Sequence, residues 1–303
     1  ALDRLKVLSN KGEVEAHAAF IFSQLSEETK QEKRDKLFDK ITGLLSVTND
    51  ENAFDNYSLI LSGVVNSVYM KYTTKAGGQM ILLGAKIPAQ YQDSALSLLL
   101  RFAEGSYPVE LRKMAVKRLF NIIKQKDKLY SHAGPPFIDH DENGTISYNS
   151  ILQERYEDRK KILSPGLSNK LFGIYEGAGD SILKDFIPSL LLDKDILGYL
   201  KPERQYLIIN AAVEHIKATE DKDALVNFIS NFSSILISKD VSKEAKEIVT
   251  GFFFGLLEEP ETFVFWNSDK FSFSIKNKCI EAGAYGLVMS LSQARIHIDV
   301  INR

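Results

Sequence analysis

The side chains best placed to bind a metal ion lie between Asp139 and Ile146. They match the first half of an EF-hand loop, with oxygen ligands at loop positions 1, 3 and 5, glycine at 6 and isoleucine at 8. The second half does not match, because position 12 is Ser150 instead of a bidentate glutamate. Gly134-Pro135-Pro136 also stands where the entering helix should lie. A solvated acidic turn is therefore favoured over a calcium site, and no metal or cofactor is predicted.

The other reactive side chains are scattered along the chain. The five histidines, none of them in an HExxH motif or a Cys/His cluster, are His17, His132, His140, His215 and His297. His17 and His215 are predicted on helix faces, and the single cysteine, Cys279, is predicted to be buried in a helix rather than activated by Lys276 and Lys278. No nucleophile, base and orienting group come together, so the prediction is a protein that is not an enzyme. The enzyme alternative would need a site near His132, His140 and Asp139.

Basic residues are concentrated between Leu111 and Lys128. They are Arg112, Lys113, Lys117, Arg118, Lys124, Lys126 and Lys128. The first five of these form the candidate contact patch, which could bind the phosphates of a nucleic acid. A solvated helix face is the favoured interpretation, because acidic residues (40) balance basic ones (38) over the whole chain.

Bulk composition indicates a globular protein with a substantial core. The chain has 303 residues, 44% of them hydrophobic and 26% charged, which suits one long array or two domains. A net charge of -2 excludes a protein that attracts nucleic acid over its whole surface. One cysteine excludes an internal disulfide and is typical of a reducing compartment. The longest apolar run, 248–257, is about half the length of a membrane span. These features predict a cytoplasmic protein without membrane insertion.

The most informative segment for the fold runs from Asp93 to Ile123. Its first half places Leu96, Leu99, Leu100 and Ala103 on one helical face, and its second half does the same for Leu111, Ala115, Leu119, Ile122 and Ile123. Gly105-Ser106-Tyr107-Pro108 separates the halves. A helix, a tight turn and a second helix are typical of a HEAT-like repeat, which must stack on neighbours to bury its apolar face.

Similar helical patterns surround this segment. Helices are predicted to begin at Ser26, at Asn49-Asp50, at Pro202, and at Asp240 and Ser242, and a helix break is predicted at Ser164-Pro165-Gly166. The resulting division is N-terminal repeats over 1–125, a loop or insertion with one charged helix over 126–165, and C-terminal repeats over 166–303. Near the C-terminus, 263–266, 271–275 and 296–300 have strand-like patterns. The predicted fold is all-α, a right-handed solenoid of stacked antiparallel helix pairs, with a short β element at its C-terminal end.

Several segments together carry a family resemblance. They are 200–204, the following helix with Leu207 and Ile208, 222–224, 242–247, the stretch Leu257-Glu258-Glu259-Pro260-Glu261-Thr262-Phe263-Val264-Phe265, and Val109-Glu110-Leu111-Arg112 followed by Leu119-Phe120-Asn121. They resemble the helical-repeat part of PCI-domain scaffold subunits, such as those of translation initiation factor three and the COP9 signalosome. The resemblance implies a scaffold subunit without catalytic activity that docks on sister subunits. The winged-helix end of that family has no clear counterpart here.

The predicted function is protein–protein interaction within a large cytosolic assembly, with other protein subunits as partners. Translation initiation is the process that the resemblance indicates. The alternative is a stand-alone HEAT-like adaptor that binds a peptide or a nucleic acid on its concave face.

Overall fold

A computed structural model of the chain describes residues 2–72, 80–84, 87–130, 137–140, 146–148, 150–179, 181–219, 222–268, 276–281 and 283–288. The fold divides into two compact units, Ala1–Leu167 and Ser168–Arg303. Both units are mostly helical, which confirms the predicted helical class. Within the described ranges, none of the helices combines the length and apolar character needed to traverse a bilayer.

Unit 1 is a helical array with a small sheet. Its helices are α1 (Leu2–Leu5), α2 (Lys11–Glu27), α3 (Gln31–Val47), α4 (Glu51–Asn66), α5 (Ala89–Glu104) and α6 (Val109–Tyr130). Helix α7 (Ser150–Gly177) follows, and the boundary between the units falls within it. Helix α2 contacts α4, α4 contacts α6, and α3 contacts α5. Each helix from α2 to α5 also contacts the next along the chain, so alternate helices lie side by side.

Helix α4 is the centre of unit 1. Asp50 begins it as predicted, since its side chain accepts a hydrogen bond from the Ala53 N–H at 2.7 Å. From Ile60 to Asn66 every residue is buried, because α2, α3, α5, α6 and the N-terminal segment pack around it. Phe54 makes an edge-to-face contact with Phe102 of α5, with ring centroids 4.9 Å apart.

The predicted helix pair in 93–123 is confirmed as α5 and α6. Leu99, Leu100 and Ala103 of α5 are buried, and so are all five residues predicted for the apolar face of α6. Gly105 forms the close turn between the helices, where an added Cβ would lie 2.7 Å from the Arg101 carbonyl oxygen. Glycine is required at this position because any larger residue would strain the turn.

A four-stranded sheet is the feature of unit 1 that periodicity did not predict. Its strands, in sheet order, are β1 (Val68–Tyr72), β2 (Met80–Gly84), β3 (Phe137–His140) and β4 (Ile146–Tyr148). Strands β1 and β2 are antiparallel, β2 and β3 parallel, and β3 and β4 antiparallel. Within 126–165, predicted as a loop or insertion with one charged helix, α6 continues to Tyr130 and strands β3 and β4 precede α7. Strand β3 pairs with β2, more than fifty residues earlier in the chain, and with β4.

Unit 2 contains a second array of paired helices. They are α8 (Ser181–Leu191), α9 (Lys194–Leu197), α10 (Pro202–Ala218), α11 (Lys222–Ile237), α12 (Lys243–Glu258) and α13 (Val264–Asn267), with a 3-10 turn at Pro260–Thr262. Residues 276–281 and 283–288 are also helical. Helix α10 lies between α8 and α12, while α11 contacts α8, α9, α10 and α12. The predicted starts at Pro202 and Ser242 are confirmed.

Three local predictions were wrong, each because tertiary packing outweighed a local signal. Helix α2 continues past Ser26, and α3 begins only at Gln31. Pro165 lies inside α7 instead of ending a helix. Val264–Asn267 is a helical turn rather than a strand, anchored by the buried rings of Phe263 and Phe265, 5.6 Å apart. The strand-like stretches at 271–275 and 296–300 lie outside the described residues.

Buried side-chain amides hold the connections between helices. Asn56 in α4 donates to the carbonyls of Leu5 and Leu8 at 2.9 and 3.0 Å. Gln92 in α5 donates to the Ile87 carbonyl at 2.9 Å. All three connecting carbonyls therefore have donors, although they are shielded from water by the packed helices.

Gln205 in α10 is the most connected of these amides. Its Nε2 lies 3.2, 3.0 and 3.2 Å from the carbonyl oxygens of Leu197, Leu200 and Asp240, and its Oε1 accepts from the Ser242 N–H at 2.8 Å. Gln205 is only 2% exposed. It therefore joins the start of α10 to the start of α12.

Replacing Leu119 with alanine tests the packing of α6. The side chain is fully buried, so we expect Leu119→Ala to lower the free energy of unfolding by about 2–5 kcal/mol. Lys117→Ala, on the exposed side of the same helix, is the matched control and should change stability by less than about 0.5 kcal/mol. Urea unfolding followed by circular dichroism makes the comparison. Equal midpoints for the two variants would contradict the helix assignment.

Replacing Gln205 with leucine tests the amide network of unit 2. Each buried polar group left without a partner costs about 1–3 kcal/mol, so we expect Gln205→Leu to destabilise unit 2 by about 3 kcal/mol. Asn210→Leu, an exposed position on the same helix, is the control and should be nearly neutral. Thermal unfolding measures both. A wild-type melting temperature for Gln205→Leu would rule out a structural role for the amide.

Candidate functional site

The predicted basic patch lies on α6, and the side chain of Arg118 is largely buried within it. The Arg118 side chain is 11% exposed, and its Nη2 lies 2.5 Å from Asp55 Oδ1. The same nitrogen donates to the Asp55 carbonyl at 3.1 Å, and Nε donates to Ser58 Oγ at 3.2 Å. Three contacts to α4 thus occupy this guanidinium, which joins α6 to the centre of unit 1.

Arg112, a second arginine of the patch, also makes a structural contact. Its Nε donates to the Ala103 carbonyl, 3.3 Å away near the C-terminal end of α5. Arg34 makes the equivalent contact one helix pair earlier, donating from Nε to the Leu25 carbonyl of α2 at 3.0 Å. In both cases the arginine is the fourth residue of its helix and lies nine residues after the carbonyl. A positive group is favourable there because the C-terminal end of a helix is partly negative.

The described lysines of the patch differ in their exposure. Lys117 is exposed, and Lys113 Nζ lies 3.3 Å from Glu110 Oε2 with 28% of its side chain exposed. Lys124, Lys126 and Lys128 also belong to α6, but their side chains are not among those that the structure describes. Among the described side chains of the patch, Lys117 is the exposed one and is the best placed to contact a phosphate.

The histidines that the structure describes lie on separate elements. His17 lies in α2, where its Nδ1 is 3.0 Å from the Glu13 carbonyl oxygen, and His215 lies in α10 beside Phe228, with ring centroids 5.6 Å apart. His132 and His297 lie outside the described residues, as do the side chain of His140 and the loop at 141–145. Within the described ranges, His, Cys, Asp and Glu side chains form no group of three that could hold a metal ion.

Cys279 is buried, as predicted. Burial raises the pKa of its thiol to about 11, so almost no thiolate forms at neutral pH. The neighbouring lysines do not reverse this effect: Lys276 lies over the ring of Trp266, 5.9 Å from its centroid, and Lys278 is exposed. The position therefore suits a packing role better than a nucleophile.

A polar cluster joins α3 to α5 at the edge of the array. Tyr91 donates from its hydroxyl to Asp35 Oδ1 at 2.6 Å, and Gln31 Nε2 donates to the Tyr91 hydroxyl at 2.7 Å. Burial, followed by the hydrogen bond to Asp35, raises the pKa of Tyr91. A tyrosine held in its neutral form as a hydrogen-bond donor stabilises the interface and is unsuited to act as a base.

Large apolar side chains are exposed on two helices of unit 2, α10 and α12. Tyr206 and Leu207 of α10 are 46% and 48% exposed, and Phe254 of α12 is 49% exposed. Helices α10 and α12 are neighbours, and Gln205 joins their N-terminal ends. Exposed aromatic and leucine side chains of this size are typical of residues that become buried in a protein interface.

The structural role of the buried amides and of Arg34 was not predicted from the sequence. One signal was present: Gln92 and Gln205 are each the fourth residue of a helix, five residues after a buried apolar residue whose carbonyl they bind. Polar residues so close to a helix start are usually taken to face solvent, and only the packed connection shows that they do not.

Comparison with protein-family models finds no match to the chain, and comparison with the curated proteins finds none either.

Replacing Arg118 separates its structural role from a charge-based one. We expect Arg118→Lys to lower the free energy of unfolding by about 1–2 kcal/mol, because an ammonium group cannot reach Asp55 and Ser58 together. Arg118→Ala should cost as much or more, and Lys117→Ala, at an exposed position of the same helix, should be nearly neutral. Urea unfolding provides the values. Full stability in Arg118→Lys would indicate that only the charge matters.

Proposed function

We propose that this chain is a non-catalytic helical-repeat scaffold that mediates protein–protein interaction within a large cytosolic assembly. The observation that carries the proposal is the repeated order of helix contacts. In unit 1, α2, α4 and α6 lie side by side, with α3 and α5 against them. In unit 2, α8, α10 and α12 repeat the pattern, with α9 and α11 against them.

This order supports a solenoid arrangement within each unit. Stacked helix pairs contact only their neighbours, so a chain of moderate length can present an extended surface. Arg34 and Arg112 each donate to a carbonyl that lies nine residues earlier in the chain. This recurrence is consistent with two copies of one structural repeat. Extended surfaces of this type bind proteins and peptides more often than they hold small substrates.

The exposed apolar side chains of α10 and α12 support a protein partner rather than a nucleic acid. Tyr206, Leu207, Phe254 and Leu257 are between 38% and 49% exposed. Aromatic and leucine side chains gain free energy when a partner removes them from water, whereas a phosphate backbone requires basic groups. The resemblance to PCI-domain subunits makes sister subunits of an assembly such as an initiation factor the expected partners.

The test is affinity purification of the tagged protein from its native cells, followed by mass spectrometry. We expect wild type to recover a set of subunits in fixed proportion. Leu207→Asp and Phe254→Asp should reduce that recovery at least tenfold, because a buried charge in an apolar interface is strongly unfavourable. Asn227→Asp, at an exposed position on α11, should recover the same set as wild type and is the matched control.

Two results would contradict the proposal. Recovery of the chain alone, or equal recovery by all three variants with unchanged folding, would exclude this surface as the docking site. Recovery that depends on Lys113 and Lys117 and is abolished by nuclease would favour the nucleic-acid adaptor instead.

A further inference from the structure

The first part of α7 carries an exposed stripe of mixed character. Ile151 and Ile162 are 61% and 80% exposed, and Arg155 and Asp158 between them are also exposed. The spacings along the stripe are four, three and four residues, which place all four side chains within a sector of about 60° on one helix face. Two isoleucines exposed to this degree on one face are typical of a helix that packs against another.

The order of residues along the stripe is symmetric about its midpoint. From either end it runs from isoleucine through two charged positions to isoleucine, and the two charges are opposite in sign. A two-fold axis between Arg155 and Asp158 would place each residue against its complement on an antiparallel second copy. Ile151 would then meet Ile162 of the second copy, and Arg155 would meet Asp158 of the second copy.

We propose that this stripe, formed by Ile151, Arg155, Asp158 and Ile162, is a self-complementary surface through which two copies of the chain pair in antiparallel orientation. An interface on a two-fold axis must match itself in this way, residue i against j and j against i. Parallel pairing would place Arg155 against Arg155 and Asp158 against Asp158, so the charges select the antiparallel orientation.

The flanking charges fit the same arrangement. Glu154 and Lys161 lie on one side of the stripe, and both are exposed. In an antiparallel pair Glu154 would lie beside Lys161 of the second copy, which adds a second type of attractive contact. Within one chain Lys161 Nζ lies 3.6 Å from Asp158 Oδ1, with both side chains well exposed, so this weak pair exchanges readily for the new contacts.

The proposed dimer interface is small, so its dissociation constant must be measured at high protein concentration. From Ile151 to Ile162 the helix spans about 16 Å, so the interface is near the lower size limit for specific association. We therefore expect a dimer that forms as the concentration rises to about 200 µM and weakens with salt. Sedimentation equilibrium of the full chain gives the dissociation constant directly.

Charge reversal provides the decisive comparison. Arg155→Asp would place two aspartates opposite each other, and Asp158→Arg two arginines, so each single variant should dimerise at least tenfold more weakly. The double variant Arg155→Asp/Asp158→Arg restores opposite charges across the axis and should regain dimerisation. Lys170→Asp changes the charge equally at an exposed position of the same helix outside the stripe, and it should dimerise as wild type does.

Cysteine pairing tests the orientation. In a Cys279→Ala background, a mixture of Ile151→Cys and Ile162→Cys chains should form a disulfide-linked heterodimer under mild oxidation. Ile151→Cys alone should not, because its two copies would lie about 16 Å apart, beyond the reach of a disulfide.

The outcomes separate cleanly once circular dichroism shows that each variant is folded. Loss of dimer in both single variants, with recovery in the double variant, supports the proposal. A wild-type chain that stays monomeric at the highest concentration, a double variant that fails to recover, or self-crosslinking of Ile151→Cys would overturn it. A persistent monomer would leave the stripe to a different protein.

Discussion

Backbone carbonyl oxygens in the connections between packed helices need hydrogen-bond donors, and in this chain side-chain amides and guanidinium groups provide them. Asn56, Gln92 and Gln205 each reach a connecting segment from inside a helix. Arg34 and Arg112 do the same for the ends of α2 and α5. Leaving a buried carbonyl without a donor would cost about 1–3 kcal/mol, which is comparable to the loss caused by removing buried methyl groups from a core. The apolar faces can therefore pack closely only because these few polar groups are in place.

Much of the helical framework was predictable because its signals are local and repeated. The turn at Gly105, the caps Asp50 and Ser242 and the first-position Pro202 each act within one helical turn, so they can be recognised from sequence alone. The sheet was not predictable in this way. Strand β3 pairs with β2 across more than fifty residues, and short apolar runs do not reveal such a partner. The helix break predicted at Pro165 was wrong for a related reason. The free-energy cost of a proline inside α7 is outweighed by the burial of Leu167, Leu171 and Phe172.

The basic patch on α6 shows the same limit of prediction from sequence. A run of basic residues indicates a patch, but sequence does not show which charges are already engaged. Arg118 is held by Asp55 and Ser58, so its charge serves the contact between α6 and α4. Lys117, one residue earlier, faces solvent. Adjacent residues of like charge therefore have different roles, because a helix turns by 100° between them.

The buried thiol of Cys279 can be used to measure local opening of unit 2. The residue is the single cysteine of the sequence, and its raised pKa keeps it unreactive while the surrounding helix is packed. A disulfide reagent in solution will therefore react only during moments when this part of unit 2 separates from its neighbours. The labelling rate reports the population of that open form. Comparing the free energy of this opening with that of global unfolding shows whether the helix that contains Cys279 detaches independently. No engineered label is needed for that measurement.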